Sequence, residues 1–371
     1  MKYTWKNIFY LGVKELQGLL RDHLLIGLII YSFSLGVYTA FQATPDSLTH
    51  AAIAIVDEDN SQLSKRISDA FYPPMFTMPV NISRPEIDPG MDRGDYTFVL
   101  VIPPDFQRDV IAGKKPELQL NVDATRMSQA FNGANYIQQI TMKEINSFIH
   151  NDKPGYTAAS MVTRNRFNPN LTQGWFGSVM QLVNNITMLA IILTGAALIR
   201  ERESGTLEHL LVLPVKPFEI IASKIWSMSA TVLATSLLSL IFIVHGALDV
   251  PLEGSIVLFA VGVFLHLFAV TSLGIFLACI AQNMPQLGML LILVYMPMQM
   301  LSGSSTPQES MPLWVQRLML AAPTTHFVNF SQAILFRGAG FDVVWVQYLW
   351  LAGIGSVLFI CSLMRFRKSI A

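Results

Sequence analysis

The sequence predicts a mainly α-helical membrane protein, with six transmembrane helices and an external α/β domain inserted between helices 1 and 2. Three observations predict it. First, only 13% of the 371 residues are charged and 52% are hydrophobic, whereas about a quarter of a soluble domain is charged. Second, six apolar runs contain no Lys, Arg, Asp or Glu: Leu24–Phe41, Phe176–Ile199, Ile225–Gly246, Ser255–Ala281, Leu287–Gly303 and Val343–Met364. A helix that crosses a bilayer needs about 20 such residues. Third, the polar stretch Gln42–Gly174 holds 12 of the 25 basic and 15 of the 25 acidic residues, and is long enough for a domain of its own.

Residues 1–23 predict a cytoplasmic amphipathic helix at the membrane interface. Trp5, Ile8, Phe9, Val13, Leu16, Leu19 and Leu20 recur at helical spacing, with Lys2, Lys6, Lys14 and Arg21 between them. Residues 24–41 follow as transmembrane helix 1. The leader carries Glu15 and Asp22 and the apolar run is long, so this is an uncleaved anchor rather than a signal peptide.

The insert, residues 42–174, alternates strand and helix patterns. Strands are expected at Ala51–Val56, Tyr96–Ile102 and Leu118–Val122. Helices are expected at Ser61–Phe71, capped by Asn60 or Ser61, at Pro104–Ala112 before Gly113, and at Arg126–Ile149. That alternation implies an α/β domain. Asp57, Asp59 and Asp123 sit at strand ends, where aspartate serves turns and caps more often than metals.

Residues 175–371 hold helices 2–6. The second run carries Gln181, Asn184 and Asn185, with Met188 one turn further, on one helix face. Amides in hydrocarbon must be paired across helices or wetted by a cavity, so this face either glues helices or lines a path. Tyr295, Gln299 and Ser302 share a face of the fifth run, which Pro297 should kink or break. His266 lies deep in the fourth run, where hydrogen-bonded structure is the commoner role. Residues 304–342 form an external segment whose two apolar pieces, Leu313–Ala322 and Phe327–Phe336, are too short to span and read as re-entrant or interfacial. Trp345, Tyr348 and Trp350 mark the outer end of the last run. Cys279 and Cys361 sit in or beside apolar runs and cannot staple the insert.

Basic residues orient the chain. The leader, the loop before Ile225 and the tail after Met364 carry eleven Lys and Arg. The short segments on the other side carry only Arg317 and Arg337. Both termini are therefore cytoplasmic and the insert is outside, which requires an even number of crossings.

The loop 200–222 opens with Arg200, Glu201, Arg202, Glu203, Ser204, Gly205, Thr206, Leu207 and Glu208. The four charges should continue the second helix out of the bilayer. Gly205 can adopt positive φ for a sharp turn, and Thr206 can cap a new short helix. Leu207, Leu210 and Leu211 share one side of it and Glu208 faces elsewhere. Such a helix is either an ordinary connection or a docking element.

The stretch Arg200–Glu208 resembles the coupling-loop signature of the type-2 ABC exporter permeases. A second block is similar to theirs as well: Pro297-Met298-Gln299-Met300-Leu301-Ser302-Gly303, then Pro307, Met311-Pro312, Pro323, His326 and Gly338. Arg164 to Asn168, ahead of Pro169 and Trp175, resembles the approach to the second span in the long bacterial subgroup. The resemblance covers essentially the whole chain and is strongest to the inner-membrane permeases of Gram-negative tripartite efflux systems. It implies a bacterial inner-membrane protein with residues 42–174 in the periplasm, working as a homodimer or a heterodimer with a paralogue.

Two nucleotide-binding ATPase subunits would dock beneath the dimer, moved against residues 200–208. A periplasmic adaptor and an outer-membrane channel would meet the insert. Gln181, Asn184, Asn185, Tyr295, Gln299 and Ser302 would line the path between protomers, within membrane lipid. The chain itself would bind no cofactor, ATP and Mg being held by the ATPase. The substrate would be a drug, a hydrophobic ion or a lipid-like molecule.

Other classes fit less well. An ion-coupled transporter usually needs an intramembrane carboxylate, and the six runs have none. A sensor would leave the polar faces unexplained. The chain has no Gly-x4-Gly-Lys-Ser/Thr phosphate loop and no catalytic constellation, so it is not expected to be an enzyme. No nucleic-acid partner is expected.

Overall fold

The computed structural model describes residues 2–43, 51–114, 116–123, 127–149, 173–206, 215–305, 308 and 311–370. The chain divides into two compact units, one of Met1–Thr44 with Arg166–Ala371 and one of Pro45–Asn165.

The smaller unit is built on four strands, β1 (Ile53–Asp57), β2 (Val80–Asn81), β3 (Phe98–Ile102) and β4 (Gln119–Val122), in the order β2-β1-β3-β4. β1 is parallel to β2 and β3, and β4 is antiparallel to β3. β1 and β3 are apolar on both faces, as a covered parallel sheet requires. Ile53, Ile55, Phe98, Leu100 and Ile102 pack against Leu63, Ile67, Phe106 and Ile137. Ala54, Val56, Val99 and Val101 face the other way, onto Ile87. Helix Gln62–Asp69 begins at Ser61, whose side chain accepts from Ser64 N. Asp57 accepts from the backbone of Asp59 and Asn60 and from Ser64 Oγ, and Asp59 accepts from Gln107 N. Both aspartates are thus turn and cap residues. The sequence reading lacked β2, because two exposed residues leave no alternation to see.

The larger unit is helical. Among the described residues five of its helices are long and apolar enough to cross a membrane: His23–Ala43, Gly174–Glu203, Pro217–His245, Ile256–Ile280 and Phe341–Lys368, called the first, second, third, fourth and last spans. A sixth apolar helix, Met284–Met300, has 17 residues. At about 1.5 Å per residue it falls a little short of a ~30 Å hydrocarbon core. It continues three residues past Pro297 before ending.

The first span is broken at Ser34 into His23–Phe33 and Leu35–Ala43. A broken helix leaves carbonyls without partners, which in hydrocarbon must be met from elsewhere. Here Asn185 Nδ2 of the second span donates to Ser32 O at 2.6 Å, and Ser239 Oγ of the third donates to Phe33 O. The third span begins at Pro217, eight residues before the apolar run, since proline suits the first helical turn. It ends in a π-helical turn, Ser239–His245.

The second, fourth and last spans run in one direction. Thr187 meets His266, and Ile191 meets Gly274. Leu258 O accepts from Tyr348 Oη, and Phe268 lies against Gly355. The helix Met284–Met300 runs the opposite way, with Met284 at Glu203 and Tyr295 at Asn184. His266 is fully buried, 2.9 Å from Thr187 Oγ1 and stacked 3.9 Å from the Phe327 ring, which is a packing role. Two short helices, Leu313–Met319 and Pro323–Leu335, precede the last span. The second of them is buried, and its Leu335 O accepts from Glu253 N of the loop before the fourth span.

Candidate functional site

The four charges that end the second span each meet a different part of the larger unit. Arg200 donates to Asp22 Oδ2, while the other carboxylate oxygen of Asp22 caps the first span by accepting from Leu25 N at 3.1 Å. Glu201 is buried, 3.0 Å from Lys14 Nζ of the leader helix Lys2–Arg21 and 2.7 Å from Lys224 Nζ of the third span. Arg202 donates to Ala281 O at 2.8 Å, where the fourth span ends. Glu203 accepts from Met284 N at 3.0 Å, where the next helix begins. A carboxylate at a helix start and a guanidinium at a helix end each match the local dipole.

Lys224 is the centre of this hub. It is 1% exposed and also donates to Glu15 Oε1 at 2.9 Å. Burial holds the Glu15 carboxyl above its ordinary range; the Lys224 ammonium pulls it down and Glu201 pushes it up. Nearby, Glu219 accepts from Asn7 Nδ2 at 3.2 Å and from Lys216 N at 3.1 Å, closing the first turn of the third span. The leader is also fixed by Trp226, whose indole N–H donates to Ile8 O at 3.1 Å and whose ring fills the space a Cβ on Gly12 would occupy.

Immediately after the hub the chain turns. Gly205 has φ +67°, a conformation open to glycine and strained for other residues. Ser204 Oγ donates to Arg200 O at 2.7 Å, and Thr206 Oγ1 to Glu201 O at 3.3 Å. Thr206, expected to cap a short helix, turns its hydroxyl back toward Glu201 O and Ser204 Oγ. The helix itself, with Leu207, Glu208, Leu210 and Leu211, falls on 207–214, outside the described residues.

The residues expected to line a path divide into two groups. Asn185 is buried and joins the second span to the first, and Gln181, one turn away on the same helix, donates to Asn185 Oδ1 at 2.9 Å. Tyr295 donates its hydroxyl to Asn184 O at 3.0 Å, which brings the two polar faces together. The amides of Asn184 and Gln299 are half-buried and make no hydrogen bond among the described residues. Ser302 is buried and donates to Gln299 O at 2.7 Å, just before Gly303 with φ +97°. Among the described residues no group of three or more His, Cys, Asp or Glu is placed to hold a metal.

Sequence reasoning had Arg200–Glu203 continue the second span out of the bilayer, with contact to an ATPase implied by resemblance, and did not identify the network of Lys14, Glu15, Asp22 and Lys224 that holds them. A signal was present. Two acids interrupt an otherwise basic leader, and one lysine sits among Ile220, Ile221 and Ile225, where only a paired charge is tolerated.

The pattern of the ABC-2 family transporter proteins matches residues 24–364. The chain is similar to the inner membrane transport permease YhhJ of Escherichia coli K12, with 58% identity over 369 residues, 98% of each chain. It is similar to the probable multidrug ABC transporter permease YbhR of the same strain, with 31% identity over 341 residues, 91% of each. To the probable multidrug ABC transporter permease YbhS it is 24% identical over 368 residues, 96% of this chain and 95% of that one.

Proposed function

We propose, from the fact that this chain belongs to the ABC-2 transporter family, that it is the transmembrane subunit of an ATP-driven exporter in the bacterial inner membrane. Separate nucleotide-binding subunits hydrolyse the ATP and hold its Mg. The observation that carries the reading is the hub. One four-charge run joins the leader, the first, third and fourth spans and the helix Met284–Met300, immediately before the Gly205 turn. A partner that displaces residues 205–214 therefore pulls on five elements at once. Ion coupling gains no support, since Glu201, Glu203 and Glu219 are each engaged by a partner within the chain.

Six crossings are supported by direction. Met284 begins beside the ends of the second and fourth spans, and the last span runs parallel to the fourth. The chain must therefore pass to the far side between Met284 and Phe341, and Met284–Met300 is the helix available to do so. Both termini then lie in the cytoplasm and residues 42–174 in the periplasm, open to an adaptor and an outer-membrane channel. A second permease copy, or a paralogue, completes the path along Asn184, Tyr295 and Gln299. Relatives named as probable multidrug permeases and a largely apolar face with two unengaged amides suit a drug, a hydrophobic ion or a lipid-like molecule.

Gly205→Val and Glu208→Lys should leave the permease inserted while weakening the ATPase pull-down and transport by about tenfold or more, as charge reversal at a docking contact does. Normal ATPase binding and transport in both variants would show the loop to be a plain connection. Asn184→Leu and Gln299→Leu should change transport rate or substrate range several-fold with the ATPase still bound. If both instead fail to assemble, the amides are structural.

A further inference from the structure

We propose that the apolar groove between the leader helix and the third, fourth and last spans binds one phospholipid with an anionic headgroup, drawn from the leaflet on the side of the hub. This goes beyond the exporter reading and takes from it only the membrane setting and the permease dimer. The groove has a volume of about 770 Å³, within the ~300–1,000 Å³ of ligand sites. Its walls are aromatic: Trp5 and Phe9 from the leader, Phe218 and Trp226 from the third span, Phe268 from the fourth and Phe359 from the last.

The rings brace one another, so the groove is formed before any occupant arrives. Phe9 stacks on Trp226 at 5.9 Å, while Phe359 meets Phe218 and Phe268 at 5.8 Å each. Almost nothing polar lines it. The Trp226 indole N–H already donates to Ile8 O, and Thr4 is the one hydroxyl-bearing residue in the wall. A ligand with several hydrogen-bonding groups would lose them there, whereas a hydrocarbon chain would not.

Length and charge point to the same occupant. Phe218 is one residue into the third span, and Phe264 of the fourth lies at the other end of the groove. Phe218 meets Phe359, Phe359 meets Phe268, and Phe264 lies four residues before Phe268; two ring contacts and four residues at about 1.5 Å each give the groove a length of roughly 18 Å. That is little more than one leaflet of a ~30 Å core, the depth of one acyl chain lying along the helices. At the boundary the same elements present exposed Lys6, Lys216, Arg365, Arg367 and Lys368, none in an ion pair among the described residues. Of the acids described at this end, Glu15, Asp22 and Glu201 meet hub cations, while Glu203 and Glu219 accept from the neutral Met284 N and Asn7, and Glu219 also feels the Lys216 charge. Five exposed cations thus face two carboxylates without a cation in hydrogen-bond contact, the balance is positive, and each such cation near a membrane surface attracts anionic lipid.

The test is native mass spectrometry of the purified full chain after detergent exchange, with titration of dioleoylphosphatidylglycerol against dioleoylphosphatidylcholine. No ATP or ATPase is present, so the outcome is separable from the exporter reading. One phosphatidylglycerol per chain should remain bound, with at least tenfold preference over phosphatidylcholine. Ala222→Trp, which adds bulk to the groove wall, should weaken retention at least tenfold with dimerisation unchanged. Lys6→Gln with Lys216→Gln should reduce the headgroup preference several-fold at unchanged thermal stability, and this pair decides the matter if Ala222→Trp does not fold. Loss of all lipid on detergent exchange would mean bulk lipid only and overturn the proposal. So would equal retention in a folded Ala222→Trp variant, unchanged preference in the lysine pair, or loss of dimerisation in Ala222→Trp, which would mean that a second copy covers the face.

Discussion

Lys224→Met is expected to destabilise the protein by about 3–5 kcal/mol, the range for removing one partner of a buried ion pair. Lys224 is 1% exposed and faces Glu15 and Glu201 together. Without it, two largely buried carboxylates remain, with only Lys14 to share. The measurement is thermal unfolding of the purified permease in a mild detergent, alongside its monodispersity. Lys224→Met with Glu201→Gln should recover part of the loss, because one of the stranded charges is gone. Glu15→Gln alone should be milder than Glu201→Gln, since burial already favours the neutral form of Glu15. A Lys224→Met protein that unfolds at the parent temperature would mean that the hub contributes nothing to stability.

Gly274→Val is expected to have the next largest effect, about 3 kcal/mol, the upper part of the range for overpacking. A Cβ at this position would lie 2.8 Å from Ile191 O and 3.2 Å from Ile191 Cα. Those are backbone atoms of the second span and cannot swing aside. Across the same contact, a Cβ on Gly195 would lie 3.3 Å from Gly274 O. Small residues on both helices allow this close approach, as is common where helices meet in lipid. Valine there must separate the second and fourth spans, lengthening the Thr187–His266 bond of 2.9 Å. Both the unfolding temperature and transport should fall. Gly27→Ala and Gly353→Ala are the controls, because nothing lies within 4 Å of a Cβ at either position; they should stay within about 1 kcal/mol of the parent. If Gly274→Val behaves as these controls do, the two spans are not held by close backbone contact.

Much of the helical unit was legible because uncharged runs of this length have few alternatives. The strands β1 and β3 were legible because their apolar runs are bounded by turn residues. What escaped was whatever depends on a distant partner. Ser34 looks like any serine in an apolar run, and its helix break becomes tolerable only when Asn185 and Ser239 arrive. The π-helical turn at Ser239–His245 leaves no periodic trace in seven residues. The third span was begun late because Glu219 and Lys224 read as loop charges, whereas each is buried with a partner more than 200 residues away. For the site, the polar faces of the second span and of Met284–Met300 were visible in spacing alone. Which amides join helices and which stay unengaged was not, because that turns on what lies opposite each one.

The break in the first span also sets an order of events during synthesis. Ser32 and Phe33 leave the ribosome about 150 residues ahead of Asn185 and about 200 ahead of Ser239. While the insert is being made, the first span is already available for insertion with two carbonyls that hydrocarbon cannot satisfy. Water or the insertion machinery must accommodate them until the second and third spans emerge. The N-terminal anchor is therefore not a finished part to which later helices are added. It reaches its final form only in their company, so a nascent chain stopped inside the insert presents quality-control proteases with an incomplete helix.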